Sequence, residues 1–216
     1  MNIPISSQVT DGLLLENEPM SRHTSWRIGG IADMFYKPES LEDLSNFLSD
    51  LDETIPVFWL GRGSNLLVRD GGLSGVVVAM NGVCNSLEII DDYTVRVGTG
   101  MTCTQFSREC VRYGFGPSEF FAGIPGTLGG ALSMNAGAHG GETWDNVSLV
   151  RTIDRRGELH ERFPEDYNIN YRNVEGPKDE CFVEAELKFD SEFKPSMDRI
   201  KLFLSRRKDT QPLGLK

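Results

Sequence analysis

The chain has 216 residues, 39% hydrophobic and 25% charged, with a formal net charge of −10 and a sequence pI near 4.8. This is apolar mass enough for one large domain or two small ones. It is too acidic to make nucleic acid or an anionic membrane surface a general partner, since no basic run exceeds Arg206-Arg207-Lys208. No stretch approaches the ~20 apolar residues of a membrane span, and residues 1–18 lack the charged and apolar pattern of a signal peptide. Cys84, Cys103, Cys110 and Cys181 form no CxxC pair and have no histidine at metal-ligand spacing. They read as free thiols of a soluble, cytoplasmic protein with no metal.

Residues 1 to about 20 are polar and unpatterned and read as an extended arm. A short strand is predicted over Asp33–Lys37, ended by Pro38. Ser40 then opens a helix as N-cap, with Asp43 three residues on to complete a capping-box pair. Leu41, Leu44, Phe47, Leu48 and Leu51 form its apolar face. Pro56–Leu60 and Gly75–Met80 read as strands, giving a βαβ-like first unit over residues 1–82. In a second unit, residues 83–192, Ser86–Ile90 and Thr94–Val97 read as a hairpin around Asp91-Asp92. Thr102–Tyr113 is an amphipathic helix (Phe106, Cys110, Val111, Tyr113) capped by Gly114. Val147–Asp154, Glu158–Phe163 and Cys181–Phe189 are strands, with a turn at Arg156-Gly157. Residues 193–216 carry a last helix with Met197, Ile200, Phe203 and Leu204 inward and Arg206, Arg207 and Lys208 at its negative dipole end. The whole reads as α+β with mixed sheets.

Three segments carry chemistry. The run from Ala122 to Glu142 holds seven glycines in twenty-one residues, with almost no charge. Ordering that much glycine is entropically costly, and close approach of a ligand to bare backbone is one reason to do it. A tightly packed buried turn with a short helix is the other. Pro125-Gly126 suits a rigid turn, and Gly126-Thr127 can start a helix whose N-terminus faces phosphate. Gly61-x-Gly63-Ser64-Asn65 follows a strand but is neither the dinucleotide GxGxxG nor a P-loop. It is either a tight turn or a set of N–H donors around a pyrophosphate. Asn170-Tyr171-Arg172-Asn173 lies in a polar loop and is a weak signal alone. His139, inside the glycine run, reads as a hydrogen-bonded loop histidine or a cofactor contact.

These motifs occur together and in order. His23-Thr-Ser-Trp-Arg-Ile-Gly-Gly30 comes first, then Leu60-Gly-Arg-Gly-Ser-Asn-Leu-Leu-Val68, Gly123-Ile-Pro-Gly-Thr-Leu-Gly-Gly-Ala131 and Met134-Asn-Ala-Gly-Ala-His-Gly-Gly-Glu142. Tyr171-Arg172, Arg206-Arg207 and Gln211-Pro212-Leu213-Gly214 complete the set. The combination closely resembles the UDP-N-acetylenolpyruvoylglucosamine reductase family of flavoenzymes, from about residue 20 to the end.

The resemblance implies the two-unit FAD-binding fold of the vanillyl-alcohol oxidase type. It implies that Gly61, Gly63, Ser64 and Asn65 hold the FAD pyrophosphate region, and that Gly123, Ile124, Pro125, Gly126, Thr127, Asn135, Gly137 and Ala138 line the cofactor. Arg172 matches the family's active-site arginine, and Tyr171 and Arg207 fall to the substrate. The implied reaction is reduction of UDP-N-acetylglucosamine enolpyruvate to UDP-N-acetylmuramate with NADPH as co-substrate, for peptidoglycan precursor synthesis, by a monomer. Arg172 would stabilise the enolate-like charge that forms beside the substrate carboxylate.

Two departures accompany the resemblance. His139 stands where the family commonly has tyrosine. The family's proton-donating serine and its third, substrate-covering domain would lie beyond Lys216, so the chain is expected to be truncated, to bind FAD weakly or not at all by itself and to have negligible NADPH-dependent reductase activity. A short non-catalytic FAD-binding homologue and a sugar oxidase on the same flavin fold are the alternatives.

Overall fold

The structure is a computed structural model that describes residues 11–210. Strand β1 (Leu13–Pro19) leads into β2 (Ile31–Lys37), helix α1 (Leu41–Asp50), β3 (Val57–Leu60) and β4 (Leu73–Ala79). These form a four-stranded sheet in the order β1-β2-β4-β3. β2 and β3 both run parallel to β4, and β1 pairs antiparallel with β2. The expected arm therefore contains an edge strand. Its polar residues hid it: Glu16 and Asn17 point to solvent, while Leu14 and Leu15 pack on opposite faces of the sheet.

Ser40 caps α1 by accepting the Asp43 amide at 3.0 Å. The reciprocal half of the capping box does not form. Asp43 instead accepts the amides of Glu39 (2.9 Å) and Asp11 (3.1 Å), and so ties the residue before β1 to the helix. Leu44, Phe47 and Leu48 pack on Met34, Tyr36, Val76 and Val78.

The second sheet follows with β5 (Leu87–Ile89), β6 (Thr94–Gly98), α2 (Cys103–Tyr113), a 3₁₀ turn over Glu119–Gly123, α3 (Leu128–Ser133) and the two-residue strands β7 (Gly137–Ala138) and β8 (Gly141–Glu142). Then come β9 (Val147–Ile153), β10 (Leu159–Arg162), β11 (Asn168–Asn170), β12 (Asn173–Glu175), β13 (Cys181–Lys188) and α4 (Met197–Thr210). Five strands in the order β10-β9-β13-β6-β5 make an all-antiparallel sheet.

α2 begins at Thr102, whose hydroxyl accepts the Gln105 amide, and ends at Gly114 in the left-handed region, φ 87°. Its buried stripe is Cys103, Phe106, Ser107 and Cys110, at i, i+3, i+4 and i+7. Tyr113, expected inward, is 52% exposed, as is much of Met197 (44%) at the start of α4. Tyr171 and Arg172 are not in an open loop. They are the two-residue turn of the β11–β12 hairpin, with Arg172 at φ 58°.

The two sheets share packing. Ile153 and Val183 of the second join the core under α1, and Ser45 Oγ donates to Gly157 O at 2.7 Å. All four cysteines are free, and burial pushes the Cys103 thiol up to about 12. No helix among the described residues is long and apolar enough to cross a membrane. Gln211–Gly214 of the motif set lies outside the described residues.

Candidate functional site

Where β3 ends, the chain turns through Gly61-Arg62-Gly63-Ser64-Asn65-Leu66. Gly63 has φ 61°, and a Cβ there would stand 2.0 Å from the His23 carbonyl oxygen. Only glycine fits. The Gly63 carbonyl accepts the Ser25 amide at 3.0 Å, which fastens the loop from behind. Among the described residues, the amides of Arg62 through Asn65 have no protein acceptor, while the turn at Ser64-Asn65 brings the Leu66 amide back toward the Gly63 carbonyl. A run of unengaged N–H groups at a strand end is a ready anion cradle.

The second glycine segment faces this loop. Ser64 Oγ donates to Pro125 O at 3.1 Å. A Cβ on Gly61 would lie 2.6 Å from Thr127 Oγ1, and one on Gly126 (φ 116°) 2.9 Å from Ser64 Oγ. Between the loops runs a cleft of about 300 Å³. The structure brings nine of the sequence-predicted residues onto it: Gly61, Gly63, Ser64, Asn65, Ile124, Pro125, Gly126, Thr127 and Arg172. A side pocket of about 100 Å³ continues between the two sheets, against Trp59, Thr99, Gly129, Glu180 and Phe182. Burial works against the Glu180 carboxylate, but bonds from Arg162 and Thr152 hold it below its usual range.

Other sequence-predicted residues stand behind the wall. The Asn135 amide donates to Glu142 Oε2 at 2.7 Å, and its carbonyl accepts the Trp144 amide at 3.2 Å. Gly137 and Ala138 form the short β7–β8 ribbon, and a Cβ on Gly123 would lie 2.9 Å from Ala138 Cβ. Helix α3 does start at Thr127, but its N-terminus is not open to a phosphate. The amides of Leu128, Gly129 and Gly130 donate to Met101 O, Thr99 O and Thr127 Oγ1. His139 makes no hydrogen bond among the described residues. Its ring stacks on Phe203, centroids 3.9 Å apart, and burial, then Arg206, keeps the imidazole below its usual pKa.

At the mouth, Arg172 lines the cleft with no ion pair or hydrogen bond among the described residues. Its guanidinium carbon is 5.8 Å from the centroid of the Tyr171 ring, and Tyr171 is 81% exposed. Arg207 does not line the cleft. It is half-buried beside Arg62, and burial first, then Arg62, lowers its pKa. Arg62 itself, along with Met134 and Ala136, was missed by motif reading although it lines the cleft. Arg62 filled a variable position between two glycines; its signal was a charge in a loop otherwise free of it.

A strand-end cradle and a second bare loop between two α+β units define a flavoprotein fold of the vanillyl-alcohol oxidase type. The FAD binding domain family matches residues 32–162. The fold is similar to that of 6-hydroxy-D-nicotine oxidase from Arthrobacter nicotinovorans, with TM-score 0.59 and 13% identity over 86% of this chain and 44% of that one. It is similar also to UDP-N-acetylenolpyruvylglucosamine reductase from Thermus caldophilus, with TM-score 0.73 and 26% identity over 93% of this chain and 70% of that one.

Curated relatives are nearer in sequence. The chain is 50% identical to UDP-N-acetylenolpyruvoylglucosamine reductase of Alkalilimnicola ehrlichii, covering 96% of this chain and 70% of that protein. It is 47% identical to the enzyme of that name in Legionella pneumophila strain Paris, covering 96% and 69%. The chain belongs to the UDP-N-acetylenolpyruvoylglucosamine reductase family, FAD-binding oxidoreductases.

Proposed function

We propose that this chain carries FAD in the cleft between its two glycine loops. In this reading it serves the NADPH-consuming reduction of UDP-N-acetylglucosamine enolpyruvate to UDP-N-acetylmuramate, in cytoplasmic peptidoglycan precursor synthesis by a monomer. The names of the relatives support the substrate. The carrying observation is the run of four amides, Arg62 through Asn65, that have no acceptor among the described residues and face a second bare loop. The proposed units are residues 1–82 and 83–192, with the cleft between them, and 193–216 as the C-terminal helix that leads on to a substrate domain.

The residues fit the group. The Arg62–Asn65 amides, with the side chains of Ser64 and Asn65, would receive the diphosphate. Gly61 and Gly126 have no side chain to fill the space between the loops, while Ile124, Pro125 and Thr127 form the opposite wall. Gly123, Asn135, Gly137 and Ala138 hold that wall in shape from behind. The flavin, when bound, supplies the hydride that the substrate's vinyl carbon accepts. Arg172 would stabilise negative charge growing beside the substrate carboxylate; its guanidinium is permanently charged and has no ion pair or hydrogen bond among the described residues that would have to break first. Tyr171 and Arg207 are assigned to holding the nucleotide-sugar.

The test is titration of the 216-residue chain with FAD, followed by quenching of flavin fluorescence. Saturable one-to-one quenching is expected, abolished when the Gly61–Leu66 loop is replaced by a loop of equal length with alanine for both glycines. Unchanged fluorescence at stoichiometric excess of protein would sink the reading.

A further inference from the structure

The strand period of two gives the first sheet two faces. Leu14, Met34, Tyr36, Val76 and Val78 pack toward α1 and the second sheet. Leu15, Phe35, Leu60, Val77 and Ala79 pack on the opposite side, where Met20 and Val68 close one end. At the other end, where Leu13 pairs with Lys37 and Leu60 with Ala79, that side opens into a groove of about 370 Å³. It is larger than the cleft of about 300 Å³ between the glycine loops, and the two share only Leu60, Gly61 and Arg62.

The lining of the groove divides by chemistry. Its floor is apolar, made by Leu13, Leu15, Phe35, Leu60 and Ala79. Its rim carries four basic side chains, Arg22, His23, Lys37 and Arg62, and no Asp or Glu among the described residues, in a chain of net charge −10. Glu18, which does not line the groove, engages two of the four, lying 3.5 Å from Arg22 Nη1 and 2.9 Å from His23 Nε2. The side chains of Lys37 and Arg62 have no ion pair or hydrogen bond among the described residues, and neither do those of Ser25 and Asn81 on the same rim. Two cations without counter-charge beside a bare apolar floor suit an anion with an apolar body.

We propose that this groove is a second ligand site, for a nucleoside monophosphate. The phosphate meets Lys37 and Arg62, the base covers the floor, and the sugar and base edges meet Ser25 and Asn81. A phosphate alone would leave the floor in water, and a fatty acid would leave Ser25 and Asn81 without partners. The volume lies near the lower end of the range of about 300–1,000 Å³ usual for small-molecule sites, which suits one nucleotide and not two. The proposal does not rest on FAD binding in the cleft.

The test is isothermal titration of the 216-residue chain with CMP and with GMP, neither of which is a fragment of FAD or of a UDP-linked substrate. Inorganic phosphate is the comparison, and two variants locate the site. Lys37→Ala removes a cation that lines the groove and not the cleft. Leu13→Trp fills the groove from a position already 54% exposed, so the fold is little disturbed. Saturable one-to-one binding of at least one nucleotide is expected, about ten-fold or more tighter than inorganic phosphate because only the nucleotide uses the floor. Each variant is expected to weaken that binding by about ten-fold, and the affinity of the unaltered chain to fall as salt is raised. No binding of either nucleotide, or binding no tighter than that of inorganic phosphate, would overturn the proposal. So would an affinity unaltered in either variant, which would place the nucleotide elsewhere on the chain. Each of these results leaves FAD binding in the cleft standing, and a chain that takes no FAD can still fill the groove.

Discussion

The two glycine-rich segments face each other across one cleft, yet their backbones are used in opposite ways. The shorter loop has two glycines between Gly61 and Leu66 and leaves four consecutive amides, Arg62 through Asn65, without a protein acceptor among the described residues. The longer run has seven glycines, and several of them make room for protein. Gly141 lies under the Phe120 ring, Gly137 against Gly141 O, and Gly129 against Thr99. Its helix amides are bonded to Met101, Thr99 and Thr127. Glycine density therefore marks where backbone is approached closely; the hydrogen-bond inventory tells whether protein or ligand approaches it.

The largest test of that contrast is Gly63→Ala. The substitution forces a left-handed φ on alanine, costing about 1–2 kcal/mol, and drives a methyl to 2.0 Å from the His23 carbonyl, so the loop must move. Expected are a lower melting temperature and loss of FAD affinity by more than about a hundred-fold, about 2.7 kcal/mol. Calorimetry and flavin titration check them. Affinity kept within about two-fold would remove the cradle from the argument.

Arg172→Ala comes next. If the mouth arginine stabilises developing charge, kcat should fall by about 10²–10³-fold when the change is made in a full-length reductase of the family. Because Arg172 is exposed and has no ion pair or hydrogen bond among the described residues, stability should change by no more than about 0.5 kcal/mol, and FAD affinity little. An undiminished kcat would reject the role; a large stability loss would show that the arginine serves the fold.

Much of this was legible in the residues because local chemistry and final structure agreed. Ser40, Thr102 and Gly114 cap their helices as their types demand, and the valine-rich β4 is buried as its composition requires. What could not be read depended on long-range partners. Leu13–Pro19 is a strand because β2 offers it an edge, not because of its own pattern. The role of Asn135 is set by Glu142 and Trp144. That the α3 N-terminus is closed depends on carbonyls about thirty residues back, at Thr99 and Met101. The buried Glu119 gave no signal because Ser196, whose amide it accepts, is 77 positions away.

Behind the second segment, the side pocket offers a pH test. Glu180 is held below its ordinary 4.5 despite burial, by Arg162 and Thr152. A carboxylate depressed in the fold adds stability that is complete above its unfolded pKa and lost as pH falls through its folded value. With its side chain 8% exposed, Glu180→Gln should lower unfolding free energy by about 1.5–3 kcal/mol at pH 7. The gap to the parent should close as pH drops below 4.5 and through the depressed value. A gap that is constant with pH would mean that the charge is not what stabilises.

The smallest effects discriminate most finely between the two loops. Thr127 caps α3 through Gly130, so Thr127→Ala should cost about 1 kcal/mol of stability. It should barely alter FAD affinity if the helix end serves the fold alone. Ser64→Ala removes one hydroxyl bond to Pro125 O, worth about 0.5–1.5 kcal/mol, but that bond is also the direct strap between the loops. Its stability loss should therefore be the smaller or equal one, and its loss in affinity the larger. If the order were reversed, with Thr127→Ala the worse binder, the ligand would be drawn to the α3 end of the cleft, and the division of labour between the two glycine segments would have to be exchanged.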